Sequence, residues 1–160
     1  MSLRIQQADF ANPDHGAAIV RLLDAYARDP MGGGKPLSDS VKCDLVPALA
    51  RIPGALTLLA YVDEHAVGLA NCFAGFSTFA CRPLLNIHDI AVLPAYRGQG
   101  VAGAMLAEIE AIARARGCCK VTLEVLENNH AAQSAYRKYG FAGYELRPEA
   151  GRALFWEKSL

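Results

Sequence analysis

The segment Arg97-Gly98-Gln99-Gly100-Val101-Ala102 brings together residue types suited to holding an anion. It falls where a strand pattern stops at Pro94 and a helical pattern begins at Val101, so unpaired backbone N–H groups and the positive end of a helix dipole converge there. Gly98 and Gly100 let the backbone approach a ligand closely, and Arg97 adds a positive charge. Together they suit a pyrophosphate. Two side chains elsewhere can exchange protons. Tyr136 carries a phenol that is protonated at neutral pH and suits an acid. His88 carries an imidazole that ordinarily titrates near neutrality and suits a base. Strict strand alternation sends His88 and Asp89 to opposite faces, so only one of them can meet a given cleft.

The glycines permit a competing reading. Gly98, Gly100 and Gly103 spell G-x-G-x-x-G, and Glu124 or Glu127 follows at about the distance of a ribose-binding acid. A dinucleotide fold sets its first glycine directly at the end of an opening strand, whereas Pro94 to Arg97 intervene here. Too little chain follows Gly103 to supply the remaining parallel strands, which disfavours that fold.

Several elements must position these groups. Leu3, Ile5 and Gln7 alternate as a strand. Asn12 and Pro13 then open a helix whose buried face is Ile19, Leu22, Leu23 and Tyr26. After Gly32-Gly33-Gly34, which with Lys35 reads as a flexible loop or a mobile lip, a second helix is expected from Ser38 to Arg51. It carries Val41, Leu45 and Leu49, with Pro47 kinking or splitting it. Strands from Leu56 to Val62 and Ala66 to Phe76, joined by Asp63-Glu64-His65, read as a hairpin, and a third strand runs from Leu84 to Leu93. The helix from Val101 to Arg116 buries Val101, Met105, Leu106, Ile109 and Ile112 and stops at Gly117. Lys120 to Leu126 alternates again. Asn128 or Asn129 can cap a last helix ending near Gly140, and strands near Tyr144 and from Ala153 to Lys158 close the chain. This order predicts a mixed α/β sheet with one crossover unit in a single domain of residues 1–160.

Composition narrows the partners. The 160 residues carry 16 basic and 16 acidic side chains, so no net field attracts nucleic acid or an anionic membrane. No apolar run approaches a membrane span. The five cysteines lack zinc-ligand spacing, and adjacent Cys118 and Cys119 suit neither tetrahedral zinc nor an unstrained disulfide. We therefore expect no metal, and reduced thiols in a cytoplasmic protein.

Arg97, Gly100 and Ala102 match R/Q-x-x-G-x-G/A, and Asn129, Ala132, Tyr136, Gly140 and Phe141 match N-x-x-A-x-x-x-Y-x-x-x-G-F. In this order and spacing the two segments resemble the GNAT superfamily of acetyl-CoA-dependent N-acetyltransferases, and the resemblance covers nearly the whole chain. It implies the splayed acyl-CoA N-acyltransferase fold, with acetyl-CoA as acyl donor and no metal. Backbone groups around Ile90, Ala91 and Val92 would hold the pantetheine and the thioester, with the oxyanion meeting an N–H near Val92. The amides of Gly98, Gln99, Gly100, Val101 and Ala102, with Arg97, would take the pyrophosphate, and Asn129 would steady the cofactor's arm. Tyr136 would protonate the departing sulfur, with His88 as base. Homodimerisation carries over as a family habit.

Phe76-Ser77-Thr78-Phe79 and Ile87-His88-Asp89-Ile90 are further similar to the diamine and polyamine acetyltransferase branch, although His88 stands where that branch has glutamate. The acceptor implied is a primary amine of a small molecule. A protein N-terminus or lysine is the alternative acceptor, and a non-catalytic acyl-CoA-binding module is the alternative of another class.

Overall fold

A computed structural model describes residues 2–160. The chain forms two compact units, Met1–Leu123 and Glu124–Leu160. In the first, β1 (Leu3–Gln7), β2 (Leu56–Val62), β3 (His65–Ser77), β4 (Arg82–Val92) and β5 (Val121–Leu123) form one sheet in sequence order. The first four strands pair antiparallel. β5 joins β4 in parallel, with α3 (Val101–Ala115) as the crossover.

The helices start where local chemistry favours it. Asn12 caps α1 (Pro13–Arg28) by accepting from the Asp14 and His15 N–H groups, with Pro13 in the first turn. Ser38 caps α2 (Asp39–Leu49) through the Val41 N–H. Ile19 and Leu22 of α1 and Leu49 of α2 pack against Leu59 and Leu69, which fixes this pair of helices on one face of the sheet. α3 takes the other face: the Met105 methyl lies beside Gly68 and Ala60, and Ala60 alternates with Leu59. Its end is closed by the Cys118 and Gly117 N–H groups, which bond the Ala113 and Arg114 carbonyls.

Several expectations change in the folded chain. Pro47 neither kinks nor splits α2 into two helices. It lies in the last turns on the exposed side, as does Cys43, so the carbonyl left without its amide partner can be hydrated. The buried stripe of α2 is displaced, with Val41 exposed and Val46 taking its place beside Leu45 and Leu49. The hairpin turn is the two residues Asp63 and Glu64, both at positive φ, with Val62 paired to His65. The Gly32–Gly34 segment is tied down by Gly32 and Gly34 N–H bonds to the Asp29 carbonyl and by a Lys35 N–H bond to Ala27.

In the second unit, α4 (His130–Lys138) is capped by Asn129 through the Ala132 N–H. The two closing strands reduce to one bridge, Glu145 to Arg152, around a 3-10 turn at Pro148–Ala150. A lone pair of short segments carrying Pro148 and Gly151 has no third strand to make a ladder cooperative. Leu154, Phe155 and Trp156 are exposed.

All five cysteines are free, and Cys72 is buried in β3, where burial pushes its thiol up to about 12. Alkylation of native protein with iodoacetamide, mapped by mass spectrometry, should therefore label exposed Cys43 and Cys81 and spare Cys72 until the protein is unfolded.

Candidate active site

The central feature is an irregularity in the β3–β4 ladder. Cys72 pairs with Ile87 and Asn71 with Asp89, so His88 is an extra residue with no partner of its own. Asn71 and Phe73 are two apart on β3 and share the face covered by α1. Asp89 accepts from Asn71 Nδ2 at 3.0 Å, and the His88 ring stands edge-on to Phe73 with centroids 5.5 Å apart. The bulge therefore brings His88 and Asp89 to the same face. Strict alternation would have separated them, and that expectation is corrected.

Beyond the bulge, β4 has a free edge. Pairing to β5 covers Leu85, Asn86 and Ile87 and ends there, with Asn86 Nδ2 bonding Thr122 Oγ1 across the last rungs. The Leu93 N–H donates to the Val67 carbonyl. Antiparallel alternation then turns Ala91 toward Leu69 and the N–H groups of Ile90 and Val92 away from β3. Of the three residues singled out on this strand, Ile90 and Val92 thus present backbone groups at the open edge, while Ala91 spends its own on the ladder. β5 stops at Leu123 rather than running on to Leu126, so the expected splay is seen here as the loss of β4 pairing past Ile87.

The free edge leads through a short 3-10 turn, Pro94–Tyr96, into the glycine turn. Gly98 and Gly100 both adopt positive φ, and a Cβ built on either meets nothing within 4 Å, so the turn is open on its outer side. The other three α-helices have a capping side chain, whereas α3 begins at Gly100 without one. The N–H groups of Val101, Ala102 and Gly103 have no hydrogen-bond partner among the described residues, which fits an anionic ligand approaching that turn. Gln99 reaches back to the Ala95 carbonyl and braces the turn.

Arg97 is committed to protein partners. Its Nε donates to the Val92 carbonyl at 3.0 Å and an Nη to Asp29 Oδ2 at 2.8 Å. Asp29 also accepts from the Met31 N–H. The Arg97 guanidinium, first, and that N–H hold the Asp29 carboxyl below its ordinary value. Arg97 thereby straps the segment after α1 to the end of β4. Tyr26, from the last turns of α1, has its phenol pushed up by burial and then by the Asp89 and Asp29 carboxylates, so it lies near both.

The remaining singled-out residues lie apart from this face or in the other unit. Phe76 to Phe79 form the tip of the β3–β4 hairpin, about 20 Å along β3 from Asn71, with Phe79 almost fully exposed. In the second unit, the Asn129 side-chain oxygen is occupied as the α4 cap. Tyr136 is half-buried. Its carbonyl accepts the Phe141 N–H and its ring lies 6.0 Å from that of Phe141, while Gly140 at positive φ donates to Arg137. Tyr136, Gly140 and Phe141 thus form a helix C-terminal motif with its usual apolar clasp. An open groove between α1 and α2, lined in part by Ala17, Arg21, Asp24, Lys42 and Val46, contains none of the singled-out residues. No cluster of metal-ligating side chains occurs among the described residues, and no helix there is long and apolar enough to cross a membrane.

Three residues of this region were not singled out from the sequence as site residues: Tyr26, read only as part of a buried helix face, Asp29 and Asn71. Asn71 left a signal, a lone amide within the apolar run Val67 to Phe73. Asp29 left none, because its partner is 68 residues away.

Comparison with known proteins gives a consistent picture. A family model described as the acetyltransferase (GNAT) family matches residues 19–141. Thialysine N-epsilon-acetyltransferase of Mus musculus is 27% identical over 147 residues, 83% of this chain and 81% of that protein. Streptothricin acetyltransferase of Streptomyces lavendulae is 39% identical over 80 residues, 48% of this chain and 42% of that protein, so the match spans less than half of that relative. Among solved structures, a probable acetyltransferase superposes with a TM-score of 0.81 at 23% identity over 98% of both chains. An aminoglycoside acetyltransferase from an uncultured soil metagenomic sample, in complex with sisomicin, gives 0.79 at 16% identity over 99% of this chain and 96% of that one. At these identities the structural likeness is one of fold.

The strap through Arg97 can be tested by acid titration. The Asp29 carboxyl is depressed in the folded state, so its contribution is complete above the ordinary value of 3.8 and is lost as pH falls through the lower folded value. Asp29→Asn keeps an acceptor for Met31 but removes the charge. It should cost about 0.5 kcal/mol at neutral pH, because Arg97 is half exposed, and should lose less stability than wild type as pH falls below 3.8. Denaturant midpoints across that range measure both effects.

Proposed function

The chain belongs to the acetyltransferase (GNAT) family, and from that premise we propose that it moves the acetyl group of acetyl-CoA to a primary amine of a small molecule by direct attack in a ternary complex. The observation that carries this reading is the continuity of two donor sets in one stretch of chain. The outward N–H groups of Ile90 and Val92 on the free edge of β4 are followed by the uncapped turn from Gly98 to Ala102. The first set suits an amide-bearing pantetheine arm and the second a pyrophosphate. The names of relatives support a small acceptor, since thialysine, streptothricin and aminoglycoside acetyltransferases are among the similar proteins.

Acetyl-CoA supplies an activated thioester carbonyl. The chain's residues then have five tasks. The Gly98, Gln99, Gly100, Val101 and Ala102 backbone groups hold the pyrophosphate, with Arg97 acting through its bonds to Val92 and Asp29. The Val92 N–H stabilises negative charge developing on the carbonyl oxygen. His88 accepts the proton that the attacking amine gives up, directly or through a water, as the C–N bond forms and the C–S bond breaks. The Tyr136 hydroxyl donates its proton to the departing sulfur, and its clasp with Phe141 limits the ring's freedom. Asn129 steadies the cofactor's arm from the start of α4.

Free-thiol release with acetyl-CoA over a panel of small amines and peptides tests the reading. Turnover is expected with small amines, and turnover confined to peptides would redirect it to a protein acceptor. Acetyl-CoA should raise the melting temperature. Stabilisation by a nicotinamide dinucleotide instead would overturn the assignment. Tyr136→Phe should lower kcat about 100-fold while leaving the acetyl-CoA Kd nearly unchanged.

A further inference from the structure

Two polar side chains are buried where the sheet is otherwise apolar: Asn71 is 2% exposed and Thr57 is fully buried. Burying an amide and a hydroxyl is costly unless each is bonded. Here the bonds run in one direction. Thr57 Oγ1 donates to Asn71 Oδ1 at 2.6 Å, and Asn71 Nδ2 donates to Asp89 Oδ2 at 3.0 Å. The hydroxyl fixes which way the amide points, and the amide donor in turn fixes which carboxylate oxygen it meets. The chain therefore aims one carboxylate from the sheet interior toward the α1 face.

The carboxylate's other oxygen is available. Asp89 Oδ1 has no hydrogen-bond partner among the described residues, and no buried side-chain polar atom there is left unsatisfied, so Oδ1 meets solvent. Asp89 forms no ion pair among those residues, since Arg97 is paired with Asp29. The groups near this position are Tyr26 from α1, His88 from the bulge of β4 and Phe73 from β3, with Asp29, just past α1, also near Tyr26. The carboxylate thus stands between an imidazole and a phenol, with aromatic rings nearby and no positive charge of its own.

We propose that Asp89 binds the acceptor as a cation, with Oδ1 receiving the ammonium group of a protonated alkylamine, and that Asn71 and Thr57 are positioning residues that aim it. This rests on the acetyl-transfer reading of the same face. It deepens that reading by naming the acceptor class as amines that are charged at neutral pH. His88, on the same face because of the bulge, takes the proton that the ammonium must lose. The freed lone pair then forms the C–N bond as the C–S bond breaks, Tyr136 protonates the sulfur, and the second proton shed by the nitrogen restores the Tyr136 phenolate to its phenol through solvent.

Steady-state acetyl transfer to a primary alkylamine and to an arylamine that is neutral at pH 7 tests this. Wild type should favour the alkylamine. Asp89→Asn should lower kcat/KM for the alkylamine about 10- to 100-fold, mainly through KM, and change the arylamine value by less than about twofold. The acetyl-CoA Kd should stay as in wild type. Thr57→Val, similar in shape but lacking the hydroxyl, should show the same selective loss in weaker form, and Thr57→Ser should restore alkylamine preference. A purely structural role would lower stability and affect both amines alike, which would overturn the proposal. So would an Asp89→Asn enzyme with undiminished alkylamine turnover, or a wild type that prefers the arylamine. A wild type that does not bind acetyl-CoA would overturn the acetyl-transfer reading and this one with it. Asp89 is half-buried and Asn matches its side chain in size, so this variant should fold even if Thr57→Val does not.

Discussion

A single unpaired residue on β4 sets the geometry of the candidate site. Because His88 is inserted between the rungs Cys72–Ile87 and Asn71–Asp89, the strand gains local twist and its side-chain alternation restarts. Up to Ile87, β4 carries β5 as a parallel neighbour; past His88 it has none. The same residue therefore separates a paired half of the strand from a half with free backbone groups. It also brings an imidazole and a carboxylate to one face. Without it, the Ile90 and Val92 donors and the Asp89 carboxylate could not occupy their present places together.

Electrostatics in the molecule is correspondingly local. With equal numbers of acidic and basic residues, the chain has no long-range field to gather a charged ligand. Positive character is concentrated instead at the start of α3, where no side chain competes for the backbone N–H groups. Arg97 contributes by holding Val92 and Asp29 together, so the turn, the strand end and the segment after α1 are braced by one guanidinium. Negative character is concentrated at Asp89, on the face where an amine would arrive in the proposed reaction. The two ends of a donor–acceptor reaction are thus given opposite local signs on a neutral background.

The residues of the family pattern also carry structural work, which bears on how such patterns should be read. Tyr136, Gly140 and Phe141 close α4 through two N–H bonds, a left-handed glycine and a ring contact. Asn129 opens the same helix. A recurring Tyr-x-x-x-Gly-Phe therefore has a folding reason besides any chemical one, and a structural use of a side chain does not exclude a role for its remaining polar atoms.

What the sequence determined by itself was whatever depends on neighbours a few residues apart. Asn12 with Pro13, Ser38, and Asn129 mark helix starts because capping is settled within three residues, and the apolar periods give the strands and the faces of α1 and α3 for the same reason. The glycine turn before α3 was legible because positive φ and an uncapped helix start are both written in the local residues. Only the tertiary structure decided the bulge at His88, the pairing of Arg97 with Asp29, the Thr57–Asn71–Asp89 chain, the survival of α2 through Pro47, and the loss of the two closing strands. Most of these turn on register and contact between segments tens of residues apart. One residue's slip in a ladder changes which face a side chain meets, and nothing in the local sequence records which rung will take the extra residue.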